Sequence, residues 1–157
     1  MNIILYGPPG AGKGTQAANI IRNYNLYKVS SGDLLREEII NNTPIGKKIK
    51  SIVDKGLLVS DDIINNLIER LLLDKKINNR LIFDGYPRNI NQAKKLDTLT
   101  EKFDLKISHV LSLEVNKATI VKRILDRQTC SNCGSIFNEY SNPATSENHS
   151  CDKKFLQ

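Results

Sequence analysis

Short apolar runs alternate along this chain with longer stretches in which apolar residues recur every third or fourth place. The runs at 2–6, 27–30, 80–84 and 107–113 have the length and composition of strands. The longer stretches predict helices at about 13–24, 31–42, 44–55, 61–75, 89–103 and 116–128. Ser60 or Asp61 is placed to cap the fourth helix and Asn116 the last, while Pro44 suits a first helical turn. Strands alternating with helices imply parallel βαβ units, hence an α/β fold with helices flanking a parallel sheet. The run from Ile107 to Leu113 reads as a buried strand. From Thr129 onward Cys, Gly, Asn, Ser and Pro dominate and the helical period stops, so 129–157 reads as a separate small module.

The first strand runs directly into Gly7-Pro8-Pro9-Gly10-Ala11-Gly12-Lys13-Gly14-Thr15. This matches the G-x-x-x-x-G-K-[ST] pattern through Lys13, with Gly14 where the hydroxyl residue belongs and Thr15 one place later. Glycines between a strand and a helix let successive backbone N–H groups turn around a polyphosphate, and the helix adds the positive end of its dipole. Lys13 supplies a point charge for the outer phosphates. The departure at Gly14 leaves a direct hydroxyl ligand to Mg²⁺ in question. The competing reading is a glycine-rich turn that binds nothing.

Four further constellations carry candidate chemistry. Ser31 and Arg36 follow the second strand one helical turn apart and can grip a small anion together, although Ser-Gly-Asp is also an ordinary helix start. Asp84-Gly85-Tyr86-Pro87-Arg88 ends the third strand, where open α/β sheets bind ligands. There Asp84 can order waters on Mg²⁺, Gly85 allows close approach, and Arg88 can hold phosphate bidentately. Arg123 and Arg127, four apart, are expected on one face of the last helix, either solvated or reaching transferring phosphates. Cys130 and Cys133 form a metal-knuckle half, with Cys151 as a third thiolate. A fourth ligand at matching spacing would be Lys154, whose ammonium cannot ligate, which leaves Asp152, His149 or water. A redox C-x-x-C is the alternative, but that motif normally opens a helix.

Composition mainly excludes. The 157 residues suit one domain with a real core, and 39% hydrophobic with 25% charged residues is ordinary for a soluble globular protein. No apolar stretch has the length of a membrane span, and no basic segment precedes the first strand as in a signal peptide. Lys and Arg number 23 against 17 Asp and Glu, a net charge of +6 spread along the chain. A phosphate-handling site accounts for that excess, and an RNA-binding surface stays open. The 3 cysteines all follow residue 129, which favours a reducing, cytoplasmic setting over a disulfide framework.

Gly7 to Gln16, Ser30 to Arg36, Gly56-Leu57-Leu58-Val59, Asp84 to Arg88 with Gln92, and Arg123 with Arg127 stand in this order. Together they resemble the adenylate kinases over the whole chain. The resemblance implies a P-loop core over 1–128, with a helical monophosphate-binding flap at 31–60 and a partial lid at 129–157. It implies reversible phosphoryl transfer, MgATP + AMP ⇌ 2 ADP. By resemblance Gly10, Ala11, Gly12, Lys13, Gly14 and Thr15 bind ATP, with Arg123 and Arg127 on the same side. Ser31, which stands where the family usually has Thr, joins Arg36, Gly85, Arg88 and Gln92 in holding AMP. Leu57, Leu58 and Val59 line its adenine pocket. Lys13, Asp84, Arg88 and Arg123 are the expected catalytic groups.

The cysteine segment resembles a zinc-bearing lid, which implies structural Zn²⁺ at Cys130, Cys133 and Cys151 beside the Mg²⁺ that accompanies ATP. ATP, AMP and ADP are the implied partners of a cytoplasmic monomer, with no membrane and no nucleic acid. The resemblance also implies a C-terminally truncated chain, because further lid arginines, a closing strand and a C-terminal helix are not among these residues. The alternatives are a UMP/CMP kinase, against which Gln92 and the long cysteine lid speak, and a non-catalytic nucleotide- or RNA-binding fragment.

Overall fold

Four strands form one parallel sheet: β1 (Asn2–Tyr6), β2 (Tyr27–Ser30), β3 (Leu81–Asp84) and β4 (Ile107–Ser112), in the order β2-β3-β1-β4. The computed structural model describes every residue except Lys75, Lys76, Asn78, Gly134, Tyr140, Ser141 and Gln157. The helices are α1 (Lys13–Tyr24), α2 (Ser31–Ile40), α3 (Pro44–Val53), α4 (Asp61–Leu72), α5 (Ile90–Lys102) and α6 (Lys117–Leu125). A short antiparallel pair, β5 (Arg127–Thr129) and β6 (Ile136–Asn138), and a 3₁₀ turn at Lys153–Phe155 complete the elements. The parallel α/β reading therefore stands. The expected end of α4 at Lys75 lies outside the described residues; the assigned helix stops at Leu72.

Packing divides the chain into two units: Met1–Tyr6 with Lys13–Ser112, and Gly7–Gly12 with Leu113–Gln157. The change of composition at 129 falls inside the second.

In the first unit the two-residue period of the strands sorts side chains between two layers. Val29, Leu81 and Phe83 are fully buried against Ile64, Ile68 and Leu72 of α4 and Leu96 and Leu99 of α5. Ile3, Leu5 and Ile82 point the other way and are also buried, on the face that carries Ala17 of α1. Asn2 is 1% exposed, and its amide serves both neighbouring segments: Leu81 N–H donates to Oδ1 at 3.1 Å and Nδ2 donates to the Lys106 carbonyl at 3.0 Å. A polar residue is thus tolerated in the sheet because its buried groups are bonded.

β4 is a correction to the sequence reading. It pairs only with β1 among the described strands, and Val110 is 64% exposed. A run of apolar residues does not distinguish an edge strand from a central one.

Residues 31–60 form α2, α3 and an extended exit. Thr43 caps α3, its Oγ1 accepting from Gly46 N–H at 2.9 Å, and Pro44 occupies the first turn as expected. A Cβ on Gly46 would lie 1.9 Å from the Glu38 carbonyl oxygen, so the α2–α3 crossing requires glycine. Buried Glu38 takes hydrogen bonds from Thr43 and from Arg70 of α4, fastening the helical pair to the rest of the unit.

Candidate functional site

Within the second unit, Gly7, Gly10 and Gly12 adopt φ values of 148°, 78° and 92°, which give the loop its turns. At Gly10 a Cβ would also stand 3.2 Å from the Ile124 side chain and 3.4 Å from the Ile120 carbonyl oxygen, so α6 lies close against the loop. Arg123 Nη1 donates to the Gly10 carbonyl at 3.3 Å. Arg127 does not join it, which corrects the expectation of two arginines on one helix face. α6 ends at Leu125, and Arg127 opens β5 opposite Asn138. The cause is the hairpin. Glu139 N–H donates to the Asp126 carbonyl at 3.1 Å, and Asn138 Nδ2 caps the Arg123 carbonyl at 2.9 Å, so the last turn is satisfied from outside the helix.

In the first unit Lys13 opens α1, followed by Gly14 and an exposed Thr15. The first turn carries no acidic residue, so the field of the helix N-terminus is left for an anion.

The carboxyl ends of β2 and β3 bring together the polar groups that flank residues 30 and 84. The register pairs Ser30 with Asp84. Ser31 Oγ and Arg88 Nε both donate to the Gly85 carbonyl, at 2.9 and 2.7 Å. Arg36, on the outer side of α2, pairs with Asp33. Lys28 Nζ lies 2.8 Å from Asp33 Oδ2 and 3.7 Å from Asp84 Oδ2. Partial burial raises the Asp33 carboxyl, but the hydrogen bonds and charges of Lys28 and Arg36 outweigh it and hold the group below its ordinary value. Asp84 has a side chain only 14% exposed, at the mouth of the sheet. Its carboxylate has the donor chemistry to hold waters of a hydrated Mg²⁺.

Tyr86 anchors this loop. Its ring is fully buried, its hydroxyl donates to Asn65 Oδ1 at 2.8 Å, and burial with the nearby Asp61 charge pushes its pKa up to about 12. The Tyr86–Pro87 peptide is cis.

Gln92, expected among the AMP-holding residues, is engaged within the protein. It is 2% exposed; Nε2 donates to Asp61 at 2.6 Å and Oε1 accepts from Arg88 N–H at 2.8 Å. In this conformation it braces the Arg88 backbone instead of facing solvent. Leu57 and Leu58 are exposed, at 60% and 95%, whereas Val59 packs against the core.

The cysteine module gathers four donors. Sγ of Cys130, Cys133 and Cys151 and one imidazole nitrogen of His149 all lie within 4.8 Å of one another. The segment returns to the knuckle by backbone pairing, with a bridge between Cys130 and Leu156 and a 2.7 Å bond from Ser131 N–H to the Phe155 carbonyl. Lys154 turns away to pair with Asp152 at 3.4 Å. Asp152 also caps the 3₁₀ turn, accepting from Lys154 N–H at 3.0 Å. His149 Nε2 is buried and, among the described residues, is the one side-chain nitrogen or oxygen of that kind with no hydrogen-bond partner. The Phe137 ring meets the imidazole edge-on at 4.7 Å. Hydrogen bonds with Ser135 bring the Cys133 thiol down to about 6. An orphaned buried nitrogen beside three thiols fits a tetrahedral Zn²⁺ set. Gly134, within the knuckle, lies outside the described residues.

Sequence reasoning left His149 as one of three options, did not single out Lys28, and took Asp61 only as a possible helix cap. His149 lies two residues from Cys151, a spacing that carries no knuckle signal. Lys28 reads as a solvated strand residue until the register sets it beside Asp84.

A family model described as adenylate kinase matches residues 5–154. The chain is 45% identical over 157 residues, all of its length, to the adenylate kinase of Pelagibacter ubique, of which it covers 74%. It is 45% identical over 139 residues to that of Erythrobacter litoralis, covering 88% of this chain and 65% of the relative. With the adenylate kinase of Archaeoglobus fulgidus it shares 40% identity over 153 residues, 98% of this chain and 70% of the relative. No helix among the described residues is long and apolar enough to cross a membrane.

Proposed function

This chain belongs to the adenylate kinase family, and we propose that its residues serve reversible phosphoryl transfer from MgATP to AMP, giving two ADP. The observation that carries the reading is the convergence at Gly85. Ser31 and Arg88 share one carbonyl, with Arg36 a helical turn beyond Ser31. Ser31 and Arg88 donate to a neutral carbonyl and Arg36 to the Asp33 carboxylate, and a phosphate dianion offers all three a more highly charged acceptor.

In this mechanism Arg36 and Arg88 orient the monophosphate as nucleophile. The glycine loop and Lys13 hold the triphosphate, and Arg123, against Gly10, neutralises charge on the transferred group. Mg²⁺, when bound with ATP, neutralises phosphate oxygens, and Asp84 is the side chain suited to its waters. Catalysis then rests on positioning and charge, with no covalent intermediate. Gln92 acts first as the brace of Arg88. Leu57 and Leu58 are the exposed surface available to the base.

We assign a structural Zn²⁺ to Cys130, Cys133, Cys151 and His149; Asp152 and Lys154 are engaged with each other. The protein acts as a cytoplasmic monomer without nucleic acid.

A coupled assay for ADP formation from ATP with AMP, UMP or CMP tests the reaction. Transfer to AMP alone is expected. Preference for a pyrimidine monophosphate would move the chain to the UMP/CMP kinases. Binding of single-stranded RNA, with no affinity for a bisubstrate dinucleotide, would replace the enzyme reading with a binding module.

A further inference from the structure

Arg36, Asp33, Lys28 and Asp84 form a row of alternating charge across α2, β2 and β3. Lys28 sits on the same sheet face as Asp84 because Lys28 pairs with Ile82 and Ser30 with Asp84. One ammonium therefore serves two carboxylates, at 2.8 and 3.7 Å. Asp33 in turn has two cations, and each weakens the hold of the other. Building on the proposed phosphotransferase reading, we propose that Lys28 is a positioning residue that couples monophosphate binding to the metal carboxylate. It is an internal cation that competes with hydrated Mg²⁺ for Asp84 and is drawn onto Asp33 when a monophosphate takes Arg36.

The physical sequence has three moves. A phosphate dianion gives Arg36 a better partner than Asp33. Asp33, left with Lys28 alone, attracts that ammonium more strongly. Asp84 loses its counter-ion, and the repulsion that Lys28 exerts on a divalent cation there falls. The coupling is reciprocal: Mg²⁺ at Asp84 pushes Lys28 toward Asp33 and releases Arg36 for phosphate. Lys28 and Asp33 are 37% and 48% exposed in their side chains, so the effect is screened and modest.

The test measures, by titration calorimetry, how many-fold Mg²⁺ tightens binding of a non-transferable ATP analogue, with and without AMP. In the wild type that factor should grow about fivefold when AMP is present. In Lys28→Gln it should already be high and should not respond to AMP. Lys28→Arg, which keeps the charge, should restore the response. A Lys28→Gln protein with an unchanged AMP response, or a Mg²⁺ factor lower than the wild type, overturns the proposal. Salt gives a second measurement on the unaltered protein: the AMP response should shrink between about 0.05 and 0.5 M KCl. Persistence at high salt overturns the electrostatic coupling even where the variant fails to fold. Failure of the wild type to bind the analogue at all would instead bring down the phosphotransferase reading, and the coupling with it.

Discussion

The sheet unit and the cysteine unit place their candidate ligand-binding groups by opposite designs. In the first, Ser31, Arg36, Arg88 and Lys28 stand on a hydrophobic core that includes Phe83, Leu81 and Tyr86 at 0% exposure. The groups are held by packing, and they have internal partners that the proposed ligand would replace. Among the described residues of the stretch 113–156 the buried apolar ones are Cys130 and Phe137, and α6 buries none of its side chains. A core of that size gives a loop-rich segment little packing, and the proposed metal at the four convergent donors would supply what packing does not. On the proposed reading, one region folds and then binds, and the other is ordered by what it binds.

Metal removal is the strongest way to break that contrast. Chelation, or Cys130→Ser, should release about one equivalent of Zn²⁺ and unfold the 127–156 segment, while the parallel sheet persists. Structural zinc is worth on the order of 10 kcal/mol in small modules, so the effect should dominate any single packing loss. Metal analysis with backbone amide exchange reads it, and an unchanged module without metal would leave only an ordinary packed loop. His149→Ala should weaken retention of the metal, whereas Lys154→Ala should not.

Lys13→Ala tests the other side. It should leave the melting temperature near that of the parent and lower the phosphoryl transfer rate by about a thousandfold, roughly 4 kcal/mol. Parent-like turnover would refute the role given to Lys13. Gly46→Ala should do the reverse. The Cβ meets the Glu38 carbonyl at 1.9 Å, so stability should fall by about 2–3 kcal/mol through opening of the α2–α3 crossing. Denaturant titration measures this, and a neutral result would mean that the two helices separate freely.

Arg88→Lys sharpens the comparison within the sheet unit. An ammonium cannot reproduce the planar fork, so the AMP KM should rise about tenfold or more with ATP binding little changed. An equal loss for both nucleotides would give Arg88 to the transferred group instead. The smallest effect concerns acid. Hydrogen bonds from Lys102 and Lys95 hold Glu69 of α4 below its ordinary value. Its folded pKa is lowered, so its contribution to stability is present above the ordinary glutamate range and fades as pH falls through the folded value. Glu69→Gln should remove that part of the acid dependence, most visibly at low salt, and leave stability near pH 7 only slightly altered.

The legible parts share one property: their signals are local. β1, the glycine loop and α1 follow one another in sequence, and the expected 2–6 and 13–24 spans match Asn2–Tyr6 and Lys13–Tyr24. Asn116 caps α6 by accepting from Ala118 N–H at 2.8 Å, a bond two residues long. Ser60 holds the N-cap position of α4 but makes no capping bond, so the signal gave the place and not the interaction.

By itself the sequence determined the strand–loop–helix unit, the order of the four sheet strands and six helices, the knuckle cysteines and the family motifs, because each is written in neighbouring residues. Tertiary structure alone decided four things. A hairpin partner at Asn138 took Arg127 off the helix. Asp61 and the Arg88 backbone took both ends of the Gln92 amide. The returning 151–156 segment selected His149 over Asp152 as the donor near the thiols. The β2–β3 register set Lys28 between Asp33 and Asp84. In each case the side chain could bond to several partners, and the competition is settled by distances between residues far apart in the chain.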